Sequence, residues 1–592
     1  MRGEATNNER RSDEIRGPYA TRLQCAAEYG SLLLQGRLVA CCTVIAFLAI
    51  STGASAEKSI TAPHGAVVAD EGRAAEIGVD VLKRGGNAVD AAVATGFALA
   101  VTYPRAGNLG GGGYMLIHRA GGSDIAIDYR ETAPAAATRD MFLDAEGRAD
   151  PKKSRDSALA IGVPGTVAGL ALAEARFGSG KFSLGDLIAP AILLARNGVA
   201  IEGDEDSRRA PPRLARWPSS AKIFLTPDGS ALPERVVQGD LADTLTAIAR
   251  RGPRAFYSGA IADKLAAAVQ HEGGIMTAAD LAAYRPLLHQ PVRGHYRGDE
   301  IVSMPPSSSG GVALIEMLNI LAGYHRDLGS FDVLSEHLLA EAMQRAYADR
   351  AAYLGDPAIV TAPLARLMSL SYARHLRDSI DPKHATPAAD VRPLGAPLHE
   401  GQNTTHFSVV DRFGNAVSNT YTLNFSYGLG LVAEGTGVLL NNELDDFAAA
   451  PGAPNAYGLT GGDANAPGPS KRPLSSMTPT IVLKHGKPFL VTGSPGGSRI
   501  ITAVLQVINN VIDRKLPLAQ AVAAPRIHDQ WSPDELVVER GFDPAIVAGL
   551  EALGHRVRVD RPFTSANSIL VTGNGVIGAP DPRSRSSAAA GY

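Results

Sequence analysis

The stretch NTTHFSVVDRFGNAVSNTYT, residues 403–422, contains two β-rich segments separated by three loop residues. The segments are Thr405–Asp411 and Asn415–Thr422, and the loop ends in Gly414. Glycine suits the last position of a three-residue hairpin loop because that position requires a positive φ. The spacing therefore predicts a β-hairpin in which Thr404 lies directly across from Thr422.

The hairpin begins with a threonine that follows a proline-rich, irregular segment, residues 385–403. An internal threonine hydroxyl is a weak nucleophile, because no base accompanies it. If the chain is cut before Thr404, the freed α-amino group has a pKa near 8 and can act as that base. The alternative is an ordinary strand threonine, since threonine favours β structure.

A second segment combines a hairpin, a glycine loop and a helix. Residues 480–483 and 488–492 read as strands around a loop at 484–487, and residues 498–513 read as an apolar-periodic helix. Gly496 and Gly497 precede that helix, where backbone N–H groups stabilise negative charge. A plain helix-entry turn is the alternative interpretation of the two glycines.

The chain upstream of residue 381 has the alanine and leucine spacing of helices. We predict helices at residues 71–83, 88–101, 315–321 and 336–353. The sequence lacks the motifs of several other kinds of catalytic or metal site, since it contains no G-x-S-x-G, H-E-x-x-H or C-x-x-C motif. Glycine-rich stretches at residues 110–113 and 178–181 lack the spacing of nucleotide-binding loops and indicate tight backbone packing.

The composition is that of an ordinary globular protein, with 45% hydrophobic and 20% charged residues among 592. The formal net charge is −3, so the chain lacks the excess of basic residues typical of nucleic-acid-binding proteins, and we do not expect a nucleic-acid partner. All three cysteines, Cys25, Cys41 and Cys42, lie near the amino terminus, which leaves no thiol chemistry for the rest of the chain.

The amino-terminal segment resembles a secretory signal. Arg37 precedes an apolar run at residues 38–50, and Ala54-Ser55-Ala56 is a small-residue cleavage pattern. The run is too short to span a bilayer. We expect cleavage after Ala56 and a periplasmic or secreted protein without membrane embedding, so that residues 1–56 are a leader. A buried amino-terminal helix and lipid attachment at Cys41 are the alternatives.

Several stretches together resemble the γ-glutamyltransferases, a family of N-terminal nucleophile hydrolases. The resemblance extends from Ser59 to Tyr592 and is carried by residues 107–113, 128–131, 304–306, 403–424, 439–447, 472–477, 493–499 and 581–583. It implies an α/β (α+β) fold, a four-layer αββα sandwich. It also implies cleavage between Asn403 and Thr404 into a large subunit (57–403) and a small subunit (404–592), which form one intertwined heterodimer.

The resemblance also implies roles for single residues. Thr404 is the nucleophile supported by Thr422, and the oxyanion donors are Gly496 and Gly497. The substrate-binding positions are Arg130, Ser475 and Ser476 for an α-carboxylate, Asp446 with Asn424 and Glu443 for an α-ammonium, and Tyr457 in a lid at residues 451–465. The implied reaction transfers the γ-glutamyl group of glutathione or a related compound to water, an amino acid or a peptide.

Two other functions remain open from the sequence. One is a glutaryl or cephalosporin acylase of the same fold, whose side-chain substrate lacks the amine that Asp446 would bind. The other is a binding protein that never matures. The presence of Thr404, Thr422 and both glycines argues against that function. We expect no metal and no cofactor, because the implied chemistry requires neither.

Overall fold

The hairpin predicted at residues 403–422 is confirmed in the computed structural model, which describes residues 58–592 except 202–204, 325–327, 392–403, 454 and 456–458. Strands Thr405–Val410 and Ala416–Thr422 are antiparallel, with Thr405 opposite Tyr421. Gly414 has the expected positive φ, 90°. This register continues to Thr404 and Thr422, which therefore face each other at the open end.

The described strands form two seven-stranded sheets, one two-stranded sheet and one three-stranded sheet. In chain order they are β1 Ile60–Ala62, β2 Ala66–Ala69, β3 Gly112–Arg119, β4 Ser123–Asp128, β5 Leu287–His289, β6 Val292–Tyr296, β7 Asp299–Ser303, β8 Thr405–Val410, β9 Ala416–Thr422, β10 Val432–Ala433, β11 Val438–Leu439, β12 Thr480–Lys484, β13 Lys487–Thr492, β14 Ile527–His528, β15 Leu536–Glu539, β16 Val557–Asp560, β17 Ser568–Thr572, β18 Gly575–Ala579 and β19 Ala588–Gly591.

Both large sheets combine strands from before and after residue 404. The first sheet has the order β19-β2-β8-β9-β3-β4-β5, and the second has the order β1-β18-β17-β13-β12-β7-β6. Neighbouring strands are antiparallel throughout both sheets. Neither sheet is complete without strands from each side of Thr404.

Helices cover the outer faces of the two sheets. In chain order they are α1 Gly72–Lys83, α2 Ala88–Thr102, α3 Pro151–Arg155, α4 Thr166–Phe177, α5 Leu184–Asn197, α6 Glu205–Arg209, α7 Pro211–Leu214, α8 Pro218–Phe224, α9 Gly239–Arg251, α10 Arg254–Tyr257, α11 Ala260–His271, α12 Ala278–Ala283, α13 Gly310–Leu321, α14 Val333–Tyr353, α15 Leu364–Leu367, α16 Leu370–Asp378, α17 Arg499–Ile512, α18 Leu518–Ala523 and α19 Pro544–Ala552. All predicted helices are present within a few residues of their expected ends, except that α13 begins five residues earlier.

Side-chain alternation along the strands produces the layers. In β2, Val67 and Ala69 belong to a core shared with helices such as α2 and α4, whereas Ala66 and Val68 belong to the core between the sheets. Successive strand residues point to opposite faces, so a strand buried on both sides is apolar throughout. Helices α13, α14 and α17 close the far side of the second sheet. The order of layers is αββα, as expected.

The predicted loop at residues 484–487 is shorter in the structure. Lys484 and Lys487 are paired strand residues, and only His485 and Gly486 form the turn, both with positive φ. A two-residue turn of this kind matches the twist of the flanking strands, and glycine favours it. The pair Lys484–Lys487 continues the register of Leu483 and Pro488, and the register shifts by one residue between Val482 and Leu483.

Three expectations fall on residues that are not described: the leader, Asn403 with most of the segment before it, and Tyr457. None of the helices in the described part of the chain has both the length and the apolar character needed to cross a membrane.

Candidate active site

A cavity of about 270 Å³ lies at the open end of the β8–β9 hairpin. Nine of the residues singled out from the sequence line it, together with Leu459, Met477 and Ile500. The nine are Arg130, Thr404, Thr422, Asn424, Glu443, Asp446, Ser475, Ser476 and Gly497. Their segments are far apart in the chain, and the two-sheet fold brings them to one place.

The two threonine hydroxyls face each other across the hairpin. Thr404 Oγ1 lies 3.5 Å from Thr422 Oγ1, which is longer than a usual O–H···O bond. Thr422 Oγ1 accepts a hydrogen bond of 2.8 Å from the backbone N–H of Asn424. Both threonines are buried, with 6% and 2% of their surface exposed. The pair therefore lies in a site with little access for water.

Asp70 anchors the start of β8, a role that no sequence motif indicates. Its Oδ2 accepts hydrogen bonds from Thr405 Oγ1 (2.8 Å) and from the His406 N–H (3.2 Å). Asn567 Nδ2 donates both to Asp70 Oδ1 (2.9 Å) and to the His406 carbonyl (3.0 Å). Burial raises the pKa of Asp70, and the hydrogen bonds oppose that shift. These contacts hold the residue next to Thr404 from two sides.

Gly496 and Gly497 form the entry to α17. Their φ angles are 128° and 59°, a region that glycine adopts without strain. A Cβ on Gly496 would lie 2.6 Å from the methyl group of Thr564, so only glycine fits. Gly497 lines the cavity, and its carbonyl accepts from the Ile500 N–H at 3.2 Å.

The opposite end of the cavity is charged. Arg130 is fully buried and donates from Nη1 to Glu443 Oε1 and from Nη2 to Asp446 Oδ2. Its Nε donates to the Pro473 carbonyl at 3.2 Å. Glu443 and Asp446 lie on one 3₁₀ turn, Glu443–Asp446. The expected carboxylate-binding arginine thus pairs with the expected ammonium-binding aspartate, which the sequence did not predict.

The charges in this cluster perturb one another. Burial raises the pKa of Asp446 and raises that of Glu443 far more, although Arg130 opposes both shifts. Burial also raises the pKa of Glu131, next to the arginine, to about 8. Burial disfavours the charge on Arg130, but its carboxylate neighbours outweigh that effect and raise its pKa. Several buried carboxyl groups thus share one guanidinium.

Ser475 and Ser476 lie beside the charged cluster, on the segment that follows Pro473. The Ser475 N–H donates to the Ser307 carbonyl at 3.0 Å, and Ser475 Oγ accepts from the Met477 N–H at 3.1 Å. Ser476 Oγ accepts from Arg350 Nη2 at 3.3 Å. Both hydroxyls therefore line the cavity on a braced backbone.

The described part of the expected lid touches the same cluster. Leu459 lines the cavity, and Asn455 Nδ2 donates to Asp446 Oδ1 at 3.2 Å. Asn465 Nδ2 donates to the Asp446 carbonyl at 2.7 Å. Residues on both sides of Tyr457 are therefore connected to Asp446.

One group of potential metal ligands occurs among the described residues, away from the cavity lining. It comprises His337, Glu341 and His555. His337 Nδ1 lies 2.8 Å from His555 Nε2, and Glu341 accepts from Arg345 Nη1 at 2.6 Å and from Thr386. Hydrogen bonds within the protein account for these contacts.

The chain is similar to known proteins over most of its length. The gamma-glutamyltranspeptidase family model matches residues 74–591. The chain is 50% identical over 542 residues to a glutathione hydrolase proenzyme of Escherichia coli K12, covering 90% of this chain and 93% of that protein. A cephalosporin acylase structure from Bacillus halodurans has a TM-score of 0.78 at 28% identity, with coverage of 90% and 97%. A Helicobacter pylori gamma-glutamyltranspeptidase chain has a TM-score of 0.52 at 44% identity, with coverage of 56% and 95%.

The αββα layers, with a threonine at the start of a central strand, define an N-terminal nucleophile hydrolase fold. The match over most of the chain narrows that class. The chain belongs to the gamma-glutamyltranspeptidase family, and it is an enzyme.

Proposed function

We propose that this enzyme is a γ-glutamyltransferase that also hydrolyses glutathione, with Thr404 as its nucleophile. The observation that carries the proposal is the single cavity that joins the Thr404 hydroxyl to the Arg130–Asp446 pair. A γ-glutamyl compound has a reactive γ-carbonyl at one end and an α-carboxylate with an α-ammonium at the other. The two ends of the cavity match the two ends of that molecule.

Maturation would use the same hydroxyl. Thr404 Oγ attacks the carbonyl carbon of Asn403, the C–N bond breaks, and the hydroxyl proton passes to the departing nitrogen, which becomes the free α-amino group of Thr404. An ester then joins the two parts of the chain. Water hydrolyses that ester, which leaves a carboxylate on Asn403 and restores the Thr404 hydroxyl. The products are a large subunit, residues 57–403, and a small subunit, residues 404–592. The E. coli relative is described as a proenzyme, which supports this step.

In turnover, the Thr404 α-amino group takes the proton from Oγ as Oγ attacks the γ-carbonyl. Gly496 and Gly497 are the proposed N–H donors to the oxyanion, where such donors contribute several kcal/mol. The intermediate collapses, the leaving amine takes the proton, and a γ-glutamyl ester on Thr404 remains. Water or an acceptor amine then attacks the ester and releases glutamate or a new γ-glutamyl compound.

Recognition would depend on exchanging partners at the charged end. The substrate α-carboxylate would bind Arg130 and the hydroxyls of Ser475 and Ser476, because a planar guanidinium can donate two hydrogen bonds to a carboxylate. The α-ammonium takes Asp446, with Glu443 and Asn424 beside it. The lid with Tyr457 would close over the bound glutamyl group.

The acylase alternative fits the charged end less well. A glutaryl group can occupy Arg130 through its carboxylate, but it has no ammonium for Asp446. Asp446 would then stay buried without its cation, and an uncompensated buried charge is costly. The retained Asp446 and Glu443 therefore favour an amino-acid substrate.

Two measurements test the proposal on full-length protein expressed with its leader. A denaturing gel should give two bands, with Thr404 as the first residue of the smaller one. The protein should release p-nitroaniline from γ-glutamyl-p-nitroanilide and not from glutaryl-p-nitroanilide. Release only from the glutaryl compound would make it an acylase, and an unbroken chain with full activity would contradict the mechanism. The larger fragment should begin at Glu57 if export removes the leader.

A further inference from the structure

Arg350 is a buried cation that contacts a residue of the cavity lining, Ser476, from the side away from the cavity. It lies in the last turn of α14 and is 3% exposed. Its Nη2 donates to Ser476 Oγ at 3.3 Å, and its Nε donates to Ser309 Oγ at 2.9 Å. It does not line the cavity itself.

Ser309 extends this contact to the neighbouring serine. The Ser309 N–H and its hydroxyl both donate to the Ser475 carbonyl, at 2.8 Å and 2.7 Å. Ser309 Oγ thus accepts from Arg350 while it donates to Ser475. One guanidinium therefore braces the segment that carries both serines.

The direction of the bond to Ser476 has a chemical consequence. A hydroxyl has a single hydrogen, and Ser476 Oγ receives a hydrogen bond from Arg350. Its own hydrogen is left to point elsewhere, and the cavity side is open to it. Accepting from a cation also polarises the hydroxyl and strengthens the bond that it donates.

The charge of Arg350 also reaches the cluster in the cavity. Burial raises the pKa of Asp446, and Arg130 with, more weakly, Arg350 opposes that shift. Arg130 is already shared between Glu443 and Asp446. A second positive charge behind the serines would favour an anionic group at their side of the cavity.

We propose that Arg350 is a positioning residue that makes the enzyme selective for substrates with a free α-carboxylate, acting through the Ser476 hydroxyl. The proposal rests on the proposed function, because it assumes that the α-carboxylate lies against Ser475 and Ser476. It adds a residue that touches no substrate to the groups that recognise the glutamyl end.

The test compares two substrates, γ-glutamyl-p-nitroanilide and its analogue with an α-carboxamide. Arg350→Met should raise KM for the carboxylate substrate at least tenfold and change kcat less than threefold. The preference for carboxylate over carboxamide, as a ratio of kcat/KM, should fall about tenfold. Arg350→Lys keeps the charge and should recover part of that preference. Arg374→Met, at an exposed position on α16, is the control and should match the wild type.

A double-mutant cycle tests the route through Ser476. In a Ser476→Ala background, Arg350→Met should lower the preference less than twofold further, because the residue that it positions is gone. Additive effects would overturn the proposal, as would an unchanged preference in Arg350→Met. Equal loss on both substrates through kcat would indicate a structural role and would also overturn it.

Maturation is checked on the same samples. If Arg350→Met does not mature, Arg350→Lys and Ser309→Ala decide: each must raise KM and lower the preference, and a preference equal to that of the wild type in both overturns the proposal. A mature wild type that is inactive on the carboxylate substrate would remove the proposed function itself, and this inference with it. A wild type that is active with no preference would remove this inference alone.

Discussion

The two ends of the cavity are built in opposite ways. The end proposed to hold the nucleophile, here called the nucleophile end, consists of hydroxyls on paired strands and a glycine loop, and the side chains of Thr404 and Thr422 carry no formal charge. The end proposed to bind the glutamyl group, here called the recognition end, consists of Arg130, Glu443 and Asp446. Arg130 follows the end of β4, and the two carboxylates lie on a 3₁₀ turn. One end depends on backbone register, and the other depends on the balance of buried charges.

The two ends of the cavity are held in place by different interactions. A shift of one residue in the β8–β9 register would turn the hydroxyls to the wrong face of the sheet, so regular hydrogen bonding secures them. At the recognition end, a buried ion pair gains little net stability once desolvation is counted. The Arg130–Asp446 pair is thus suited to being opened by a ligand.

Under the proposed function, opening the Arg130–Asp446 pair would favour a zwitterionic substrate. A substrate with both an α-carboxylate and an α-ammonium gives each separated side chain a new partner of opposite charge. A substrate with only the carboxylate leaves Asp446 without one, and unpaired buried charges discriminate strongly between ligands. Under the proposed function, the recognition end would therefore select its ligand as much by the cost of a missing group as by the contacts it offers.

The largest expected effect comes from breaking the nucleophile end. Thr404→Ala should abolish cleavage of the chain and lower activity about 10⁴-fold or more, because both reactions use the same hydroxyl. Thr404→Ser keeps a hydroxyl and should retain both reactions in part. A denaturing gel and the release of p-nitroaniline measure the two effects, and an active, uncleaved Thr404→Ala protein would contradict the assignment.

Asp446→Ala should separate the two ends. Removing the ammonium partner should lower kcat/KM for γ-glutamyl-p-nitroanilide about 100- to 1000-fold, mostly through KM, since a charge-assisted bond and its Coulomb attraction are lost. Cleavage at Thr404 should continue, because the aspartate does not touch that hydroxyl in our mechanism. Loss of cleavage as well would show that Asp446 supports the fold, and the comparison of the two ends would fail.

Thr422→Val tests whether the Thr422 hydroxyl supports the nucleophile, and we expect a smaller effect than that of Asp446→Ala. Valine keeps the shape and removes the oxygen that lies 3.5 Å from Thr404 Oγ1. We expect kcat to fall about 10- to 100-fold, or ~1.4 to 2.7 kcal/mol in the barrier, with KM nearly unchanged. Thr422→Ser, which restores the hydroxyl, is the matched control. A KM effect larger than the kcat effect would assign Thr422 to substrate binding instead.

The same contrast explains what could be predicted from sequence. The β8–β9 register followed from Gly414 and strand alternation, because the interactions that determine it are local. The pairing of Lys484 with Lys487 around the shorter turn was missed because polar residues at these positions are equally compatible with a loop. The roles expected for Arg130 and Asp446 came from resemblance, and their mutual pairing was missed because they are 316 positions apart. Asp70 and Arg350 were missed for the same reason.

The smallest expected effect is a change in stability with pH at the recognition end. Glu131 is buried, its Oε2 is 3.8 Å from Arg130 Nη1, and burial raises its pKa from 4.5 to about 8. The folded protein therefore holds a proton that the unfolded chain releases near pH 4.5. Linkage then requires the contribution of Glu131 to stability to be fully present below about pH 4.5 and to be lost as the pH rises to about 8.

Glu131→Gln removes this titration while keeping the side-chain shape. Relative to the wild type, its Tm should rise between pH 5 and pH 8.5, by an amount corresponding to about 1–3 kcal/mol. Glu76→Gln, at an exposed position on α1, is the control and should give a difference independent of pH. A flat difference for Glu131→Gln would mean that the carboxyl is ionised throughout this range. Arg130 would then face one additional charged carboxylate, and a substrate carboxylate would have to displace more negative charge to bind.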